Sequence, residues 1–168
     1  MTAQTQANWT DEDETAILNA IDKWVEGEVR PIAREHDQAD SYPHELVEQM
    51  KELGLFGAII SPNYGGLGLP ASTYAKIVLK VAAAWMAPSG IFNSHLIMAS
   101  AIERTGTEEQ KAEWLPKMAT GELRGGIALT EPNAGTDLQA IRTKAEKTNE
   151  GYRLNGTKTW ITNSLNGN

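Results

Sequence analysis

The 168-residue sequence contains no cysteine. That excludes disulfide staples, thiolate nucleophiles, zinc ribbons and iron–sulfur clusters, and it agrees with a reducing compartment. Histidine is scarce. His36, His44 and His95 are far apart and lack the spacing of a metal-binding helix motif, so they read as surface or structurally satisfied side chains. Long apolar runs are missing too. The most hydrophobic stretch, KIVLKVAAAWMAPSGIF, is broken by Lys76, Lys80 and Pro88, and no membrane span is expected. The start, MTAQTQANWTDEDE, has neither the basic and apolar segments of a secretory signal nor the arginines of a transit peptide. A cytoplasmic protein is the expectation. Positive charge is in deficit: 15 Lys and Arg against 22 Asp and Glu give a net charge of -7, which argues against nucleic acid as a main partner.

The charge is unevenly spread. Residues 1–60 hold 13 acidic and 4 basic side chains, whereas residues 138–168 hold 5 basic and 2 acidic ones. The later segment could face an anionic ligand, although a solvated basic face is the commoner meaning of such a bias.

What is present is helical periodicity. Thr10 before Asp11, Glu12 and Asp13 reads as an N-cap with acids in the first turn. Ile17, Ile21, Trp24, Val25 and Val29 then form one apolar stripe, and Pro31 is expected to end or bend that helix. A second helix is predicted from Pro43 to Gly54, with Leu46, Val47, Met50 and Leu53 on one face. After the breaker-rich SPNYGGLGLP, a long helical region runs from about Ser72 to about Arg104 with a break near Pro88. Thr107 and Gln110 predict a capping box for a shorter helix through Trp114. Trp9, Trp24, Trp85 and Trp114 read as core anchors. The pattern GLGLPA at residues 66–71 imitates a dinucleotide-binding turn, but Pro70 sits inside it and residues 81–95 contain no acid, so it reads as a surface loop.

The character changes after Gly121. GGIAL is a short apolar run, IRTKAEK alternates, and YRLNGTKTWIT places two strand-like runs around Asn155-Gly156, a strong hairpin signal. The predicted division is a helical domain over 1–122 and the start of a β-domain over 123–168. A sheet ending on an open edge is a poor place for a domain to stop, so the β-domain is expected to be cut.

ALTEPNAGTD, residues 128–137, and GTKTWITN, residues 156–163, carry the functional signal. Taken singly, the first is turn chemistry with Asp137 as a cap, and Trp160 is a cross-strand packing residue or an aromatic wall for a ring system. Together they resemble the flavin loops of the acyl-CoA dehydrogenase family. YPHELVEQMKELGLFGAIISPNYGGLGL and GTEEQKAEWLPKMATGE extend the likeness over nearly the whole chain from Trp24.

That resemblance implies a mainly α fold: a helical bundle followed by the first antiparallel strands of a β-barrel-like middle domain. It implies FAD as cofactor, an acyl-CoA thioester as substrate, a separate electron-transfer partner, and a homotetrameric or homodimeric parent protein. Ile127, Ala128, Leu129 and Thr130 should lie along the flavin edge, with the Thr130 hydroxyl and nearby amides as donors. Trp160 should flank the ring, and Ile161 and Thr162 should approach its N5. Gly135 should permit close backbone approach, and Thr136 should sit at the cofactor and substrate rim. Phe92 should lie on the acyl side. Two positions depart from the family pattern: Thr136 replaces its usual serine, and Ile127 stands where an aromatic is common. The catalytic base is expected beyond Asn168, so no catalytic residue is assigned here and the 168-residue chain alone is expected to be inactive. Acyl-CoA oxidases and flavin-dependent monooxygenases share the architecture and are the alternative enzyme classes; a non-catalytic helical interaction fragment is the third.

Overall fold

A computed structural model describes residues 9–167. Residues 1–8 and Asn168 lie outside it, and with them most of the N-terminal stretch read above for targeting signals. Helix α1 (Asp11–Trp24) opens on the expected cap: Asp13 N–H donates to Thr10 Oγ1 at 3.1 Å, and the Asp13 carboxylate accepts from Thr10 N–H at 3.0 Å. Pro31 does not end the helix. A π turn over Val25–Val29 leads directly into α2 (Arg30–Ala39), with Arg30 N–H bonded to the Val25 carbonyl. The wider turn accommodates a proline ring that would strike the carbonyl four residues back in a regular α-helix. Asp40, in the left-handed region at φ 50°, closes α2.

Helix α3 (His44–Glu52) follows Pro43 and ends at Gly54, which is left-handed at φ 69°, as the breaker predicts. The loop over 55–69 folds back on itself. Leu67 N–H donates to the Gly57 carbonyl at 2.9 Å, and Leu69 N–H to the Ala58 carbonyl at 2.8 Å. Gly66 sits so close to Ile60 that a Cβ would fall 2.2 Å from its carbonyl oxygen. The glycines of GLGLPA therefore serve loop packing, not a phosphate.

Helices α4 (Ala71–Ala84) and α5 (Met86–Thr105) are separated at Trp85, whose backbone is extended, and not at Pro88. Pro88 falls in the first turn of α5, where its missing N–H costs nothing. Helix α6 (Glu108–Ala119) carries the predicted Thr107–Gln110 capping box and continues past Trp114. α5 packs between α4 and α6, and α4 also packs on α1. Phe56, Phe92, Leu96, Leu115 and Met118 are fully buried around α5, each burial worth about 1.5–3 kcal/mol. His95 locks this centre: its Nε2–H donates to the carbonyls of Met118 at 3.0 Å and Phe56 at 3.2 Å.

The antiparallel hairpin pairs β1 (Lys144–Thr148) with β2 (Gly151–Asn155), matching Lys144 to Asn155 and Thr148 to Gly151. Its turn is Asn149-Glu150, so the expectation of a turn at Asn155-Gly156 is corrected. Gly156 serves packing instead, since a Cβ there would meet Thr143 Oγ1 at 2.2 Å and only glycine permits the close approach. The apolar run at 126–129 and residues 157–162 are not assigned as strands either. Thr159 N–H donates to the carbonyl of Thr130, the residue just after the apolar run, at 3.0 Å in a ladder-like bond. Every residue of β1 and β2 is exposed.

Candidate functional site: two converging loops

The turn Glu131-Pro132-Asn133-Ala134 is closed by reciprocal backbone bonds between Glu131 and Ala134, at 2.8 and 3.1 Å. Asp137 caps the following short turn by accepting from Gln139 N–H at 3.1 Å. Glu131 itself is buried. Its carboxylate accepts from the Arg142 and Thr143 N–H groups at 2.8 and 2.9 Å, from the Thr143 hydroxyl, and from Lys158 Nζ at 2.9 Å. These donors, the Thr143 hydroxyl foremost, hold its carboxyl down at about 2. Such a group stays ionised at neutral pH and is a poor proton abstractor, because a general base works best with a pKa near the operating pH.

The second loop is pinned from the other side. Asn163 Nδ2 donates to the Ile91 carbonyl on α5 and to the Gly125 carbonyl, both at 2.9 Å. Gly126 packs under this loop, where a Cβ would lie 2.6 Å from the Thr162 carbonyl oxygen. Asn163 is left-handed at φ 67° and Trp160 at φ 57°. For a large residue such as Trp160 that conformation is unusual. It presents the indole outward, 93% exposed.

Residues 126–130 and 159–163 therefore run side by side. Ile127, Ala128, Leu129 and Thr162 are exposed; Thr130 and Ile161 are half-buried. Gly135 and Thr136 lie on the exposed side of the turn, and a Cβ at Gly135 would meet nothing within 4 Å. Phe92 is fully buried, with its ring edge-on to Tyr74. Sequence reasoning missed Lys158, Thr143 and Asn163 as organisers of the site. Lys158 and Asn163 both lie in the GTKTWITN motif, whereas Thr143 lies outside either motif and its contact with Glu131 leaves no local pattern.

Ile161, Thr162 and Asn163 also line a cleft of about 640 Å³. Its other walls are the corner between α2 and α3, with His36 and Tyr42, and the start of α5, with Trp85, Met86 and Ile91. His36 and Trp85 rings lie 5.6 Å apart, and the Ser41 hydroxyl is hydrogen-bonded to His36 Nδ1 at 2.8 Å. No group of three or more His, Cys, Asp or Glu suited to a metal occurs among the described residues.

Residues 11–122 match the model of the acyl-CoA dehydrogenase N-terminal domain, and residues 126–166 match that of the acyl-CoA dehydrogenase middle domain. The chain belongs to the acyl-CoA dehydrogenase family. It is 38% identical over 157 residues to a short-chain-specific acyl-CoA dehydrogenase of Clostridium acetobutylicum, covering 93% of this chain and 41% of that protein. It is 40% identical over 144 residues to an acryloyl-CoA reductase (NADH) of Anaerotignum propionicum, covering 83% of this chain and 36% of that protein. Butyryl-CoA dehydrogenase from Megasphaera elsdenii superposes with a TM-score of 0.83 at 32% identity, over 94% of this chain and 42% of that one. The chain thus spans about two fifths of the length of these relatives. In this acyl-CoA dehydrogenase-family chain, the converged loops suit one edge of a flat, partly polar ring. They offer apolar side chains at Ile127 and Leu129, hydroxyls at Thr130 and Thr162, and an indole open to a stacking partner. Among the described residues, no helix is long and apolar enough to cross a membrane.

Proposed function

We propose that this chain supplies the helical domain and first flavin loops of an FAD-dependent acyl-CoA dehydrogenase that converts an acyl-CoA thioester to its 2,3-enoyl-CoA. The observation that carries the reading is the convergence of residues 126–130 with 159–163 beneath an outward-facing Trp160. FAD bound at this edge would accept the hydride. The protein's own residues bind and orient: Ile127, Ala128 and Leu129 lie along the ring edge, and the Thr130 hydroxyl donates to the side where negative charge gathers on reduction. Trp160 covers the ring, Ile161 and Thr162 face N5, and Gly135 and Thr136 border the cofactor and the thioester. Phe92 shapes the acyl side from within α5. The domain division is 1–122 and 123–168. An electron-transfer protein receives the electrons, and the whole protein assembles as a homotetramer or homodimer in the cytoplasm.

In this reading the base that removes the α-proton lies outside these residues, and Glu131, committed to its loop and held ionised, does not take that role. The 168-residue chain alone is accordingly inactive. Thr162→Ala and Trp160→Ala test the assigned edge in the whole protein. A hydrogen bond to a developing anion is worth about 1.5–3 kcal/mol, so Thr162→Ala should visibly shift the flavin midpoint potential, and Trp160→Ala should weaken flavin retention. Unchanged potential and flavin content in both variants would remove these residues from the site.

A further inference from the structure

Behind the exposed edge, Lys158 joins two groups that differ in what they need from it. Its Nζ donates to Glu131 Oε1 at 2.9 Å and to the Leu129 carbonyl at 3.0 Å. Its side chain is 23% exposed and that of Glu131 is 7% exposed, so the pair is poorly screened. Glu131 already has other donors, the Arg142 and Thr143 N–H groups and the Thr143 hydroxyl. Lys158 is therefore not required to satisfy the carboxylate. What it adds is a positive charge and a hold on Leu129.

That hold has a geometric consequence. A peptide unit is planar and trans, so a carbonyl and the N–H that follows it point in opposite directions. With the Leu129 oxygen drawn to Lys158, the Thr130 N–H is turned the other way, away from the buried pair. The next carbonyl, that of Thr130, is fixed in turn by Thr159 N–H at 3.0 Å. Both peptide planes around Thr130 are thus set by residues of the second loop.

We propose that Lys158 is a positioning residue for the flavin edge: it turns the Thr130 N–H outward as a donor and cancels the Glu131 charge beside a ring that becomes anionic on reduction. The inference rests on the flavin reading above. It gives the two members of the ion pair opposite signs. Removing Lys158 leaves an uncompensated carboxylate near the ring and frees the Leu129 carbonyl, so the reduced flavin is disfavoured. Removing the Glu131 charge leaves the lysine uncompensated, so the reduced flavin is favoured. A pair that served only to hold the fold would move the flavin the same way from either end.

The test is dye-equilibrated potentiometry on the flavin-loaded whole protein and its variants. Lys158→Met should lower the ratio of reduced to oxidised flavin affinity on the order of tenfold, the scale of one charge acting at short range in a partly buried site. Glu131→Gln should raise that ratio, and Lys158→Arg, which keeps charge and reach, should remain close to wild type. Circular dichroism on the same samples separates a shifted flavin from an unfolded chain, and Lys158→Arg serves as the variant that must fold. Shifts of the same sign in Lys158→Met and Glu131→Gln, or no shift in Lys158→Met, would overturn the assignment while leaving the flavin reading intact. A wild-type protein that takes up no flavin would overturn the flavin reading, and this assignment with it.

Discussion

His95 and Glu131 are both buried structural groups, yet each stores a pH dependence. Burial pushes the His95 imidazolium down to about 4 from its ordinary 6.5; its bonds to the Met118 and Phe56 carbonyls oppose this, and the Arg124 cation adds to it. The unfolded chain takes up that proton near 6.5 and the folded chain only near 4. Stability present above about 6.5 is therefore lost as pH falls through that window. Glu131 acts lower down. With its carboxyl held at about 2 against an ordinary 4.5, its contribution is complete above 4.5 and disappears between 4.5 and 2. Urea midpoints measured against pH should fall in two stages, and His95→Gln should flatten the upper one. A wild-type midpoint that stays level from pH 7 to 4.5 would contradict the buried neutral His95. At this scale sequence reading was uneven. The Thr10 and Thr107 caps and the Trp24 anchor are local or periodic and could be seen directly. The Glu131 network joins residues 131, 142, 143 and 158, whose meeting depends on how the chain returns.

The elements divide into a bound centre and a free margin. α5 is enclosed by α4, α6 and the turn at 55–57, with Phe92, His95, Leu96 and Ala99 buried along it. The β1–β2 hairpin is exposed on both faces. An isolated two-stranded hairpin is marginal in water, so its amides should exchange orders of magnitude faster than those at the middle of α5. Equal protection of the two in hydrogen-exchange mass spectrometry would mean that the hairpin is covered. For the helices, Thr107→Ala should cost about 1 kcal/mol by removing the α6 cap, read from the urea midpoint. Helix positions were legible because apolar spacing reports them. Their joints were not: the π turn before Pro31 and the break at Trp85 depend on packing. The hairpin turn was misplaced by Asn155-Gly156, where the glycine answers to Thr143 and not to a turn.

At the scale of the whole molecule, a helical bundle holds two short loops edge to edge. α5 reaches them directly, through Asn163 on the Ile91 carbonyl. The sequence revealed this level best, because GTKTWITN and ALTEPNAGTD act as a pair. On the proposed reading, which places the α-proton's base outside these residues, the 168-residue chain, mixed with FAD, acyl-CoA esters and an artificial electron acceptor, should show no turnover. Activity that survives repurification and disappears in Glu131→Gln would contradict this and place the working base within the 168 residues. The central claim is tested most directly by titrating the flavin-loaded whole protein with acyl-CoA thioesters under anaerobic conditions and following the oxidised-flavin absorption band. Loss of that band with formation of the enoyl thioester is the predicted result; a bound flavin that no acyl-CoA reduces, or a purified protein without flavin, would contradict it.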